Sequence, residues 1–270
     1  LGIGTVPHTL INGIDVYYEV SGDGPPLLFL NGSGATIAAV RPLLRSFTKH
    51  FQVAIADYRG MGRTGVPETA YTIGDLASDA IELVDQLGWE GFKLVGVSFG
   101  GMVAQEVAVS VSERIRRLVL VCTSSGGAGG SSYPLHELAG LPPEQRAARS
   151  MQLLDTRFTP EWLAAHPKDR ALLEQMAQRR VEQSTGAAQR GAELQLQARA
   201  GHDVFDRLPR IACPTLVASG RFDGIAPPEN GAAIAAQVAA AEVRRYDGGH
   251  AFFQQDPSAL PDIIEFLGTA

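Results

Sequence analysis

The sequence predicts an α/β fold: a mostly parallel sheet with helices on both faces, interrupted once by an all-helical insertion. Three observations predict it. Short, continuous apolar runs at residues 27–30, 51–56, 92–97, 115–121 and 215–219 read as strands covered on both sides. Between them lie helical patterns, clearest where Ile73, Leu76, Ala77, Ala80, Leu83, Val84 and Leu87 recur at spacings of three and four. Residues 142–200 then hold several helical runs and no convincing strand, before strand character resumes at Thr215.

In chain order, Thr9-Leu10-Ile11 and residues 14–20 flank Asn12-Gly13, the signal for a tight hairpin. Residues 21–26 are a surface turn, and 27–30 are a strand ending in Asn31-Gly32-Ser33-Gly34. A short helix at 38–47 leads to the strand at 51–56, closed by Asp57-Tyr58-Arg59-Gly60-Met61-Gly62. The helix at 72–87, strand 92–97, helix 100–109 and strand 115–121 follow. Residues 124–132 are rich in glycine and serine. Helices are expected at 146–154, 160–165, 171–183 and 187–200. The strand at 215–219, helix 228–238, strand 242–246 and helix 257–267 complete the pattern, with Asp256 read as the cap of that last helix. The division expected is a core of residues 1–123 and 201–270, with a helical cap at 124–200 over the carboxyl ends of the strands, where open α/β sheets bind ligands.

The 270 residues, 45% hydrophobic and 19% charged, suffice for one substantial core. A net charge of −6 with no basic patch speaks against nucleic acid as a partner. Cys122 and Cys213 lie in apolar runs and read as buried thiols, not as a disulfide or metal framework. No run is long enough to span a membrane. The chain opens Leu1-Gly2-Ile3-Gly4 without a basic segment and a long apolar run, so a cytoplasmic location is the default expectation. An acidic surface neither predicts nor forbids a dimer.

Chemistry concentrates around Ser98. In Gly96-Val97-Ser98-Phe99-Gly100 a serine stands in G-x-S-x-G spacing between a buried strand and a helix. So tight a bend needs neighbours with almost no side chain, and it lifts the Ser98 hydroxyl out of the sheet beside the first helical amides. A serine nucleophile needs a base and a group to orient that base. Among six histidines, His250 alone follows a late strand, after Asp247-Gly248-Gly249, at the same sheet edge as Ser98. His50 precedes a strand, at the wrong edge; His136 and His166 read as surface of the insertion, and His202 as packing or capping. Asp223, in the turn after strand 215–219, is the candidate orienting acid. The turn Asn31-Gly32-Ser33-Gly34 offers an amide, that of Ser33, to pair with the Phe99 amide around an oxyanion. Asp57 and Arg59 read as structural. No G-x-G-x-x-G opens a helix after the first strand, so no dinucleotide site is expected.

The order Ser98, Asp223, His250, with the turns at Asn31-Gly32, Asp57-x-Arg59-Gly60-x-Gly62, Gly220-x-x-Asp223 and Gly248-Gly249-His250, resembles the α/β-hydrolase superfamily over essentially the whole chain. Within it the chain is similar to 3-oxoadipate enol-lactonase-like and related carboxylic-ester hydrolases. One departure is Asn31, where most members carry histidine before the glycine. The resemblance implies an α/β-hydrolase fold and a serine hydrolase of a small-molecule ester or lactone, needing no metal or organic cofactor. Ser98 argues against relatives with an aspartate nucleophile. Three other readings stay open: a carbon–carbon bond hydrolase of ring-fission diketo-acids, a cofactor-free perhydrolase or haloperoxidase-like esterase, and a non-catalytic receptor of the same fold. Leu153, Phe158, Trp162 and Met176 are candidate apolar pocket walls in the cap, with core of the cap helices as the alternative reading of each. Arg157, Arg179, Arg180 and Arg190 are candidate cap partners for a substrate carboxylate, with solvated surface as the alternative reading of each.

Overall fold

The structure, a computed structural model, describes residues 8–182 and 187–269. Strands β1 (His8–Ile11) and β2 (Ile14–Ser21) form the expected antiparallel hairpin. Its turn residues Asn12 and Gly13 both take positive φ, +45° and +80°, as a two-residue connection of type I′ requires. Strands β3 (Pro26–Leu30), β4 (Gln52–Ala56), β5 (Phe92–Val97), β6 (Ile115–Val121), β7 (Thr215–Gly220) and β8 (Ala241–Tyr246) are mutually parallel. β2 joins them antiparallel along β4, giving one eight-stranded sheet in the order β1-β2-β4-β3-β5-β6-β7-β8. The chain grows outward from β3 in one direction and from β5 in the other. The order reverses between β3 and β5, and the carboxyl ends of strands at such a reversal are where open α/β sheets hold ligands.

The uninterrupted apolar character of the central strands follows from their double cover. Leu27, Leu94, Leu118, Val119 and Leu120 are fully buried. On one face pack α2 (Ile73–Gln86), α3 (Phe99–Ser110) and α8 (Pro228–Gln237); on the other pack α1 (Ile37–Phe47) and α10 (Ala259–Gly268). Thr72 and Asp75 close a reciprocal capping box at the start of α2. The last helix begins at Ala259, two residues later than its pattern predicts. Asp256 instead accepts from the Ser258 amide and hydroxyl and from the Asp247 amide, so it ties the turn before that helix to the loop after β8.

Between β6 and β7 lie α4 (Pro143–Leu154), α5 (Pro160–Ala165), α6 (Pro167–Glu182) and α7 (Ala187–Ala200), and no strand among the described residues. A further short helix, α9 (Phe252–Gln255), follows the loop after β8. α7 lies directly on the turn after β4: a methyl group at Gly191 would fall 2.0 Å from the Gly60 carbonyl oxygen. That turn is held from below, as the sequence predicts. The buried Asp57 carboxylate accepts from the Ile37 and Arg63 amides, and Arg59 grips Asp79 through two bonds of 2.5 and 2.6 Å. No helix among the described residues is long and apolar enough to cross a membrane.

Burial sets the expected cost of truncation. Leu118→Ala should lower unfolding free energy by about 3 kcal/mol, whereas Leu10→Ala, at a position 69% exposed, should change it by less than about 0.5 kcal/mol. Urea titration followed by circular dichroism checks both.

Candidate active site

β5 passes into α3 through Ser98, whose backbone stands at φ +55°, ψ −114°, a conformation that L side chains rarely adopt. Four hydrogen bonds hold it. The Ser98 amide donates to the Val121 carbonyl, while the Ser98 carbonyl accepts from Thr123 Oγ1 and from the Gly101 and Met102 amides. The flanking glycines are required by contact distance. A methyl group at Gly100 would fall 2.1 Å from the Leu30 carbonyl oxygen, and one at Gly96 would fall 2.4 Å from that of Gly100. Any side chain at either position would drive α3 away from the strand ends.

Three side chains distant in sequence meet at this bend. His250 Nε2 lies 2.9 Å from Ser98 Oγ, and His250 Nδ1 lies 2.8 Å from Asp223 Oδ2. The second Asp223 oxygen accepts from the Ile225 and Ala226 amides at 2.8 Å each, which fixes the carboxylate's orientation. The His250 amide donates to the Leu154 carbonyl, anchoring the loop after β8 to the end of α4. Burial opposes protonation of His250, but the Asp223 carboxylate outweighs it and holds the imidazole pKa above its ordinary value. Cys122, also at positive φ (+44°), brings its thiol to the same imidazole. Burial pushes that thiol's pKa up, so at neutral pH it is an uncharged neighbour. Cys122, Asp223 and His250 place one donor atom each within 4.8 Å of one another. Asp223 and His250 are already engaged with each other in the bond described.

The turn after β3 packs against the bend: a methyl group at Gly32 would lie 3.6 Å from Ser98 Cβ. The amides of Ser33 and Phe99 donate to no acceptor among the described residues, the latter because the first amides of a helix have no partner within it. The Gly34 amide is taken by Gln195 Oε1 on α7, at 2.8 Å. Asn31 is buried; its Nδ2 donates to the Ala35 carbonyl and its own carbonyl accepts from Tyr58 OH. It holds the turn from inside.

The expected pocket walls are placed differently. Leu153 packs with Leu138 and Ile225 in a separate apolar cluster, and Phe158 is buried. Trp162 stacks on His166, covers Arg157 and donates Nε1 to Asp169; Met176 is half-buried on α6. None of the four lines the cavity of about 270 Å³ beside the elbow. The physical reason is that this side of the cap grips the loop bearing His250. Asp155, fully buried, accepts from Arg157 Nε and Nη2 and from Gln255 Nε2, while Arg157 Nη1 reaches Asp247 at 2.9 Å. The cavity is walled from α3, α7 and the loop after β6, by Met102, Tyr133, Leu196, Arg199 and the two histidines read from sequence as surface and packing, His136 and His202. Burial lowers the His202 pKa to about 4, and neither ring nitrogen has a partner among the described residues. Arg157 and Arg190 are ion-paired; the side chains of Arg179 and Arg180 lie outside the described residues.

A serine on the bend after β5, bonded to a histidine after β8 that is bonded to an aspartate after β7, is the arrangement of one fold family, and residues 25–257 match its model: the chain belongs to the alpha/beta hydrolase fold family. A RutD of Azorhizobium caulinodans, provisionally named a carbamate hydrolase, is 26% identical over 96% of this chain and 97% of its own length. 3-Oxoadipate enol-lactonase 2 of Acinetobacter baylyi is 26% identical over 90% of this chain and 88% of its own. Among solved structures, a hydrolase from Pseudomonas aeruginosa PA01 superimposes with a TM-score of 0.77 at 27% identity, covering 99% of this chain and all of that one.

Removing Asp155 leaves the Arg157 guanidinium without its main counter-charge. Asp155→Ala should cost about 3–5 kcal/mol of stability, read by urea titration, and Asp155→Asn should cost less because it keeps an acceptor oxygen.

Proposed function

We propose that the protein is a serine hydrolase cleaving a small-molecule carboxylic ester or lactone through an acyl-enzyme. The observation that carries the reading is the unbroken pair of hydrogen bonds from Ser98 Oγ through His250 to the Asp223 carboxylate. As Ser98 Oγ attacks the acyl carbonyl, its proton passes to His250 Nε2, and Asp223 stabilises the imidazolium. The Ser33 and Phe99 amides receive the oxyanion. The tetrahedral intermediate collapses with rupture of the ester C–O bond, and His250 hands its proton to the departing alkoxide. Water then attacks the acyl carbon, giving one proton to His250. Collapse frees the carboxylic acid, and Ser98 Oγ recovers the proton. Residues 124–200 act as the cap under which the substrate lies, and the small-molecule acyl substrate is the partner this reading requires.

A fluorophosphonate probe tests the nucleophile. Wild-type protein should label and Ser98→Ala should not. Turnover of p-nitrophenyl esters, lactones and ring-fission diketo-acids, compared by kcat/KM, should favour the esters or lactones; labelling without turnover of any of them would sink the hydrolase reading in favour of a receptor.

The pH dependence has a fixed sign. His250 is a base only when neutral, and its pKa is raised above 6.5. The acid limb of kcat/KM should therefore lie above pH 6.5, with activity rising as pH increases through it. Asp223→Asn should lower kcat by about 10⁴-fold and move any residual limb to lower pH. A pH–rate profile of each protein checks both.

A further inference from the structure

One face of α7 reaches the ends of two strands. Gly191 rests on the turn after β4, where a methyl group would fall 2.0 Å from the Gly60 carbonyl oxygen. Gln195, one helical turn further on and on the same face, is buried, and its Oε1 accepts from the Gly34 amide at 2.8 Å. The bond joins residues far apart in the chain and lands on the turn after β3.

That turn is held unevenly. Its ends are fixed: the Ala35 amide donates to the Gly32 carbonyl at 3.2 Å, Asn31 Nδ2 donates to the Ala35 carbonyl, and Tyr58 OH donates to the Asn31 carbonyl. The tip is Ser33 and Gly34, and among the described residues its one hydrogen bond is the bond to Gln195. Gly34 stands at φ +70° with open space where a Cβ would be. A glycine takes either sign of φ with similar ease, so no side chain resists a turning of the peptide planes at the tip. The acceptor on α7 is what resists it.

The other end of the carboxamide shows what the contact is worth to the fold. Gln195 Nε2 is buried with no partner among the described residues. A buried donor left unpaired offsets much of what the Oε1 bond contributes, and an apolar side chain of the same shape can serve the fold equally well. The one bond that the carboxamide completes goes to the turn lying against Ser98, where a methyl group at Gly32 would sit 3.6 Å from Ser98 Cβ.

We propose that Gln195 is a positioning residue for the oxyanion site: by holding the Gly34 amide it fixes the direction of the Ser33 amide, one residue earlier. This rests on the acyl-transfer reading of Ser98, with the Ser33 amide as an oxyanion donor. Such donors act fully only when they are aimed before the reaction starts, because a donor that must be reoriented gives back part of its effect. Acylation and deacylation both pass through an oxyanion. A loosened tip therefore slows both half-reactions alike, and kcat falls while KM holds.

The test compares wild type with Gln195→Met, which is close in shape but offers no acceptor oxygen. The substrate is p-nitrophenyl butyrate, and the probe is the trifluoromethyl ketone with the same propyl chain, which forms an oxyanion on Ser98. In Gln195→Met, kcat should fall by about 10- to 100-fold with KM near the wild-type value. The inhibition constant of the ketone should rise by the factor that kcat loses, and the urea midpoint should stay in place. Gln189→Met, exposed on the same helix, should match wild type throughout. Gln195→Leu, a second side chain without an acceptor, is read in the same way if the methionine variant does not fold. Unchanged kcat and ketone affinity overturn the assignment and leave the hydrolase reading intact. A rise in KM alone, or an activity loss that tracks a lowered urea midpoint, overturns it as well, since the first marks a pocket wall and the second a structural prop. If wild type neither cleaves the ester nor labels with a fluorophosphonate, the acyl-transfer reading fails and this assignment with it; the two failures differ in whether wild type is silent.

Discussion

Ser98 is held in a backbone conformation that its own Cβ resists, at a cost of order 1–3 kcal/mol. The strain persists because its surroundings leave the chain no other path. The amide of Ser98 is bonded to β6, its carbonyl is bonded to Thr123 and to the first turn of α3, and α3 itself is pressed against the end of β3. The bonds within α3 are local, whereas those to β6 and Thr123 and the contact with β3 join elements that the sheet order brings together. The sheet is therefore more than a support: the burial of its central strands supplies the free energy that keeps one serine in an unfavourable φ/ψ region with its hydroxyl clear of the strand.

The same edge organises charge. Asp223 is buried, and two backbone amides and an imidazole satisfy its oxygens, so its carboxylate is aimed to favour protonated His250. Cys122 is brought beside that imidazole by a left-handed turn at the end of β6. Its thiol is kept neutral by burial, so the field at His250 is set by one carboxylate. Two positive-φ residues at the ends of adjacent strands, Ser98 and Cys122, thus flank the proton path.

How much of this could be read from the amino acids alone varied with how local the cause was. The hairpin at Asn12-Gly13, the capped α2 and the bend around Ser98 depend on neighbours within a few residues, and their patterns announce them. The placement of Asp223 and His250 was readable because each follows a strand directly, and parallel strands share one carboxyl edge. The helices between β6 and β7 were legible as helices but not in what they touch. Trp162 looks like a pocket wall by its chemistry, yet it covers Arg157 and donates to Asp169, beside a polar anchor centred on Asp155 that spans elements far apart in the chain. Arg199 carries no local mark. It differs from its neighbours only by the absence of a partner among the described residues, which is a property of three-dimensional packing. His202 and Gln195 escape for the same reason. A signal for Gln195 does exist in hindsight: Gly191, four residues earlier, is the spacer that lets this face of α7 approach the turns after β3 and β4.

The bond from the His250 amide to the Leu154 carbonyl, reinforced by Arg157 bridging Asp155 and Asp247, makes one end of the cap and the imidazole loop a single mechanical piece. A door hung on such a hinge cannot swing from that end without dragging the imidazole off its serine. Under the proposed function, an opening for substrate would leave that end in place and part the opposite margin, where α7 rests on glycine backbones and one glutamine-to-amide contact. Admission and reactivity would in this way be interlocked, since the bond from Ser98 to His250 stands only while the Leu154 side is latched.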